Sequence, residues 1–463
     1  VLFRSVPTPN PTPTASPQPA PAPTMAAPAP GGSGCVAGPA GSGGGVGDVR
    51  NVSSVRAVVE IGRGTNVPAS FGTAVGLGVT ASNNLFGSAI VACGDRDGDG
   101  VAELLVGAYG YDNGGLSDSG GVLSVWLARN GTMVSFVLWR VGSSVVPAAF
   151  NSSVIPVGSY SGWSVGCGGD FDGDGMWDGL AGAPNLGTGY VYVVWVGGGG
   201  EMRSFVRVGG LNASVAPASG DWFGSGVWVG GRGMGTSWEV VVGGRSHAVG
   251  GVSRAGGVWV MSVDGVSGMV GTGGVQVWEL GRGAFASFTT TAYENFGQAL
   301  GGVGDIDCDG GDDVVVGTAV GRLPYCFYVV LRGVGGGIVG VSKVVAPAVT
   351  PAASAVFGYA VAGVGDVGGD GVGDVAVGAY SNYGDVFVVE LTRGGGMGRV
   401  VRVYGATLPG GSTRSSGQQF GYAVARWGDV DGDGVAEVLV GAQDLRAPTA
   451  TLRDGAMYVV WLM

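Results

Sequence analysis

Histidine and lysine are nearly missing from this chain: His247 and Lys343 are single occurrences in 463 residues. A lone imidazole with no serine or cysteine motif beside it gives little basis for acid–base or nucleophilic catalysis. No glycine-rich loop sits between a strand and a helix, so the glycine runs read as turns rather than phosphate-binding loops. Charge is scarce as well. Only 12% of residues are charged, with 34 acids against 23 bases and a net charge of −11. The bases form no stripe, which argues against nucleic acid as a partner. No run of about eighteen apolar residues escapes interruption by glycine, so no membrane span is expected. No stretch keeps a helical period. The five cysteines, Cys35, Cys93, Cys167, Cys308 and Cys326, match no zinc or redox spacing. Cys93 and Cys167 each precede an acidic loop. Cys308 and Cys326, within one repeat, either pair or stand as buried thiols, and the odd count leaves at least one cysteine unpaired, best placed at Cys35.

Glycine is what the chain has in excess, 99 residues, and valine dominates the apolar set. Alternating runs such as Gly189-Tyr190-Val191-Tyr192-Val193-Val194-Trp195, between glycine-rich turns, read as strands. The expected class is all-β with many short strands. Residues 1–50 differ in kind. Most of this segment is Pro, Ala, Thr and Ser, then Gly, which cannot bury a core and predicts a disordered, extended linker. The folded domain is expected over residues 51–463. Four Asn-x-Ser/Thr sequons, at Asn51, Asn130, Asn151 and Asn212, together with the linker favour a secreted or cell-surface glycoprotein.

Repetition defines that domain. Phe-Gly, then an acidic loop, then a strand ending in Gly-Ala recurs six times, most clearly from Phe86 to Ala108 and from Phe420 to Ala442. Aligned on the first loop position (Asp95, Asp170, Arg232, Asp305, Asp366 and Asp429), the copies lie 75, 62, 73, 61 and 63 residues apart. Each unit opens on a leading strand, such as Arg203 to Val208 or Arg399 to Val403. Two strands flank the acidic loop, and a last strand such as Val122 to Leu127 or Met457 to Leu462 completes the unit. Four strands per unit is the content of a propeller blade. Sheets that are apolar on both faces must stack on neighbours, and radial closure covers every face and leaves few free edges. Six blades follow from the count; a seventh requires that residues 53–85 or an insert hold a worn-out blade. The phenylalanines of the Phe-Gly pairs (Phe86, Phe223, Phe296, Phe357 and Phe420) read as packing between blades, as do Trp126, Trp195 and Trp461. Trp163, Trp177 and Trp222 lie near loops, where stacking on a sugar is an alternative to packing.

The acidic loops carry the chemistry. In the first, Asp95, Asp97, Asp99 and Glu103 fall at positions 1, 3, 5 and 9, with Gly100 at the turn and Val101 able to offer only its backbone carbonyl. That oxygen set suits a hard divalent cation, and four carboxylates on one small loop suit calcium better than magnesium. Three further loops are complete: Asp170, Asp172, Asp174 and Asp178 with Met176; Asp305, Asp307, Asp309 and Asp313 with Gly311; and Asp429, Asp431, Asp433 and Glu437 with Val435. The fifth keeps Asp366, Asp370 and Asp374 but has Gly368 at position 3, which predicts a weaker site. The third has Arg232, Met234 and Thr236 in place of acids and reads as a decayed loop. These loops hold 19 of the 34 acids, so the acidic balance reports metal sites rather than partners. A helix–loop–helix calcium motif is excluded because position 12 is Val106, Ala181, Val316 or Val440, inside strands.

The combination of Phe-Gly, Asp-x-Asp-x-Asp-Gly-x-x-Asp/Glu and Gly-Ala-Pro, the last intact at Gly182-Ala183-Pro184, resembles the FG-GAP repeat of integrin α-subunit β-propellers. The resemblance extends over six repeats. It implies a propeller of usually seven blades, calcium in hairpin loops on one face and ligands on the opposite face. The chain departs from the pattern at Ser161, which stands where the second repeat should have Phe, and in the third loop. The implied function is a calcium-binding, non-catalytic binding or adhesion module with an extracellular protein or glycan as its partner. The alternative is an accessory propeller of a larger extracellular enzyme, phospholipase-like or carbohydrate-active.

Overall fold

The computed structural model describes residues 50–51, 55–62, 66–71, 83–113, 115–209, 216–232, 237–271, 274–319, 325–347, 356–380, 384–405, 418–444 and 454–462. The expected linker over residues 1–49 lies outside them, as do Cys35, Asn212, Met234 and Thr236. The fold is an all-β propeller of six four-stranded antiparallel blades. The first blade comprises Ala89–Gly94, Glu103–Ala108, Gly121–Leu127 and Met133–Trp139; the second Ser164–Gly169, Asp178–Ala183, Tyr190–Val196 and Met202–Val208; the third Phe223–Arg232, Ser237–Gly244, Gly257–Asp264 and Gln276–Trp278. The fourth comprises Leu300–Gly304, Asp313–Gly317, Cys326–Arg332 and Ile338–Val345; the fifth Ala360–Gly365, Asp374–Ala379, Asp385–Leu391 and Met397–Tyr404, with the short strand Arg50–Asn51 parallel to its edge. The sixth combines Phe420–Gly428, Glu437–Ala442 and Ala456–Leu462 with Val55–Ile61 from the other end of the chain. The first strands of successive blades touch in turn, and the sixth touches the first, so they form a closed inner ring. No described helix is long and apolar enough to cross a membrane.

Blade and sequence repeat are offset by one strand. Arg203–Val208 was expected to open the third unit, yet it pairs with Tyr190–Val196 and forms the outer edge of the second blade. Arg399–Val403 likewise pairs back onto Asp385–Leu391. Among the described residues no blade precedes the first leading strand. It crosses to the last one, with Val59 opposite Val459 and Ile61 opposite Met457. Residues 53–85 thus supply the closing strand, and no seventh blade is present among the described residues.

The repeated phenylalanines are fully buried at Phe86, Phe223, Phe296, Phe357 and Phe420. Four of them meet an aromatic ring on the third strand of their own blade edge-on: Trp259, Tyr328, Phe387 and Tyr458, at centroid distances of 5.3–5.6 Å. Such pairs add about 0.5–1.5 kcal/mol to the burial itself. The glycine that follows is needed for close approach: a side chain on Gly421, at φ +86°, would collide with the Asp385 carbonyl. The second blade lacks its phenylalanine, but Ser161 keeps the same parallel bridge to the preceding blade, to Gly120. There the ring is supplied by Phe150 from the incoming connection, which lies edge-on to Tyr192 at 6.4 Å.

Cys93 and Cys167 form a disulfide between the inner strands of the first and second blades, with Cα atoms 5.3 Å apart. Cys93 lies two residues before Asp95 and Cys167 three before Asp170, so the bond joins positions one residue out of step near the ends of adjacent inner strands. Cys308 and Cys326 do not pair. Cys308 sits in an acidic loop, whereas Cys326 begins a strand at the blade's other end, buried as a free thiol. Replacing both Cys93 and Cys167 by alanine should cost up to about 4 kcal/mol in the chain-entropy account for a closed loop of this size. Phe357→Ala should cost about 3–5 kcal/mol. Denaturant unfolding of both variants checks these values, and a Phe357→Ala loss below about 1 kcal/mol would contradict the packing role.

Candidate functional site

Each acidic loop joins the first strand of a blade to the second, so all lie on one rim of the ring. Position 1 organises the loop. Asp95 accepts N–H bonds from Gly98 at 2.7 Å, Asp99 at 3.1 Å and Gly100 at 2.8 Å. Asp170 and Asp366 collect the same three bonds in their loops, while Asp305 accepts from Asp309 and Gly310 and Asp429 from Gly432 and Gly434. Position 5 accepts the N–H of position 7, as Val101 to Asp99, Met176 to Asp174, Gly311 to Asp309 and Val435 to Asp433. These turns need left-handed backbone at position 6, where Gly100, Gly175, Gly310, Gly371 and Gly434 all have positive φ.

Position 9 differs from the other ligand candidates in being buried. Glu103, Asp178, Asp313, Asp374 and Glu437 are all 4% exposed or less. Each accepts the N–H of position 2, from Arg96, Phe171, Ile306, Val367 and Val430. The second oxygen of Asp178, Asp313 and Asp374 also accepts the N–H of Val196, Arg332 or Leu391, at the end of the third strand. The buried acid therefore fastens the loop to the sheet. Burial is the main reason that all five carboxyls are pushed up to about 7. The backbone bonds oppose that shift, and nearby loop acids reinforce it in four of them, Glu390 in the case of Asp374.

Four sets of acids converge closely enough to hold a metal ion, with one oxygen from each member within 4.8 Å of the others: Asp95, Asp97 and Asp99; Asp170, Asp172 and Asp178; Asp305, Asp307 and Asp313; Asp429, Asp431 and Glu437. Glu103 falls outside the first set, and Asp174, Asp309 and Asp433 fall outside the others. Asp366, Asp370 and Asp374 do not converge as a set among the described residues. The donor chemistry fits a hard cation. Glu437 adds a direct indication, because its Oε1 is buried with no hydrogen-bond partner. Arginines from outer strands reach two of the sets: Arg56 lies 2.5 Å from Asp431, and Arg203 pairs with Asp174 and lies 3.8 Å from Asp172. Both arginines are about half exposed, so these pairs contribute little and a cation can displace them. In the third blade Arg232 continues the ladder opposite Trp238, giving a tighter hairpin than the one between Gly94 and Glu103.

The opposite rim carries a second group of residues. Tyr109, Tyr160, Trp163 and Trp222 cluster there, with Trp163 4.5 Å from Tyr109 and 5.2 Å from Trp222 between ring centroids. Trp177 is not among them; it lies on the acidic rim, its ring packed on Gly94. His247 is held on both sides, with Nδ1 2.8 Å from Asp221 and Nε2 2.9 Å from Glu279. No local motif announces this clamp, because its partners are 26 and 32 residues away in sequence.

An all-β propeller with cation-competent loops on one rim is the class that fold and site define. No protein-family model matches the chain. Over 120 residues it is 36% identical to integrin alpha pat-2 of Caenorhabditis briggsae, a match covering 25% of this chain and 9% of that protein's length. Among solved structures it is similar to AofleA from Arthrobotrys oligospora, at 10% identity and a TM-score of 0.43, over 81% of this chain and 84% of that one.

Burial alone would lower the His247 pKa, but the bonds to Asp221 and Glu279 outweigh it and raise the value above 6.5. Both bonds are donated only by the imidazolium. Its contribution is therefore complete below pH about 6.5 and is lost as pH rises through the raised value. The melting temperature should fall across that interval, and His247→Gln should flatten the dependence. An unchanged pH profile in the variant would show that the clamp carries no stability.

Proposed function

We propose that this chain is an extracellular, non-catalytic binding module: a propeller stiffened by calcium on one rim that presents its opposite rim to a protein or glycan partner. The observation that carries the reading is the convergence of four acid sets in equivalent loops. Calcium would be held by Asp95, Asp97, Asp99 and Glu103, by Asp170, Asp172, Asp174 and Asp178, by Asp305, Asp307, Asp309 and Asp313, and by Asp429, Asp431, Asp433 and Glu437. The backbone carbonyls of Val101, Met176, Gly311 and Val435 would add a ligand each. Asp366, Asp370 and Asp374 would form a weaker fifth site.

The ion neutralises acids whose mutual repulsion and burial otherwise oppose ionisation, and it ties each loop to its sheet through the position-9 carboxylate. Binding to the folded chain alone raises its stability by linkage. The disulfide between Cys93 and Cys167 supports an oxidising compartment. The partial likeness to an integrin α-chain supports a role in binding. Calorimetry with calcium should give four strong sites and a weaker fifth. Asp97→Ala and Asp431→Ala should each remove one, and Thr236→Ala none. Chelation should lower the melting temperature. Equal stoichiometry in all three variants, or a melt indifferent to chelator, would overturn the metal assignment.

A further inference from the structure

Six equivalent backbone positions stand out on the rim opposite the acidic loops. The residue before each Phe-Gly pair, or before Ser161-Gly162, is left-handed without being glycine: Leu85, Tyr160, Trp222, Asn295, Val356 and Gln419, with φ from +52° to +85°. Asparagine tolerates this conformation, but for a bulky side chain it costs about 1–3 kcal/mol. The conformation recurs in every repeat and so belongs to the fold, whereas the residue that bears it changes from repeat to repeat. At two adjacent repeats these strained residues join a shared aromatic group. Tyr160 lies nearly parallel to Trp163 at 6.2 Å and is 6.5 Å from Trp222. All but Trp163 of this group, Tyr109 included, are partly exposed.

Arg245 sits among them. Its guanidinium is 4.1 Å from the Trp222 ring centre and 4.9 Å from that of Trp163, and its Nη1 donates to Gln298 at 3.0 Å. No carboxylate among the described residues forms an ion pair with it, in a chain of net charge −11. The nearby acid Asp221 is committed to His247, whose clamp also fixes the turn carrying Arg245 against the segment carrying Trp222. A partly exposed cation framed by indole faces, with amide groups beside it, is complementary to a ligand with both an apolar ring face and a negative charge. Gln443, which follows Gly441-Ala442 as Tyr109 follows Gly107-Ala108, adds a buried side-chain oxygen with no partner.

We propose that Tyr109, Tyr160, Trp163, Trp222, Arg245 and Gln298 form a binding site for an acidic saccharide. A pyranose ring rests on the aromatic faces and its carboxylate pairs with Arg245. The proposal rests on the reading that this rim is the partner face, and it narrows the partner to a uronic- or sialic-acid-bearing glycan.

The test is a titration of the full chain in calcium, followed by tryptophan fluorescence. The probes are glucuronic-, galacturonic- and N-acetylneuraminic-acid-terminated oligosaccharides, their neutral counterparts, and an aspartate-rich peptide. At least one acidic glycan should bind tenfold or more tightly than its neutral counterpart and than the peptide. Arg245→Gln should abolish that preference. Trp222→Asn, which installs the residue already present at the equivalent Asn295, should weaken binding at least tenfold while leaving the melting temperature unchanged or raised. Acidic-glycan binding that survives both substitutions would overturn the site. So would failure of every acidic glycan. If a neutral glycan or the peptide then binds this rim and is lost in Trp222→Asn, the partner-face reading stands and the acidic-saccharide assignment alone falls.

Discussion

A four-stranded sheet that is apolar on both faces has to be covered on both, and here each blade is covered by the next. That arrangement has no natural end, so the ring must close. The closing contact is the ladder between Val55–Ile61 and Ala456–Leu462, which gives the sixth blade its outer strand. The two ends of the domain are thereby held in one sheet, and an open chain of blades would leave two apolar faces exposed to water. The inner strands add a second lock between the first and second blades, the bond from Cys93 to Cys167.

Closure also decides where the chemistry lies. Because every blade enters the ring in the same orientation, every first hairpin falls on one rim and every Phe-Gly connection on the other. The acids gather on the first rim and the strained aromatic residues on the second. The buried carboxylate at position 9 couples rim to ring, since it accepts hydrogen bonds from its own loop and, in three blades, from the end of the third strand. A cation bound beside it acts on the sheet as well as on the loop.

Much of this was legible in the sequence, because both the strands and the loops are short-range patterns. Alternating valines mark the strands, and Asp95 to Glu103 spells out its own turn through side-chain bonds a few residues long. What escaped is what depends on pairs distant in sequence. The one-strand offset is invisible in a repeat, since any cut through a cycle gives equivalent units; only Val55–Ile61 reveals where the cut falls. Phe150 replaces the phenylalanine missing at Ser161 from a connection that carries no repeat signal. Cys93 finds Cys167 through the stacking of adjacent blades, and the clamp on His247 likewise assembles from three separate connections. The spacing of the loop acids makes them look alike as ligands, whereas burial, a property of the packed sheet, sets position 9 apart.

The central claim is that the acidic rim is a ring of calcium sites interrupted at the third blade. A crystal structure grown in calcium, with anomalous scattering measured to locate the ion, tests it most directly. The account predicts strong peaks at the loops beginning with Asp95, Asp170, Asp305 and Asp429, at most a weak one at Asp366, and none at Arg232. Empty loops in saturating calcium, or ions bound elsewhere on the ring, would contradict it.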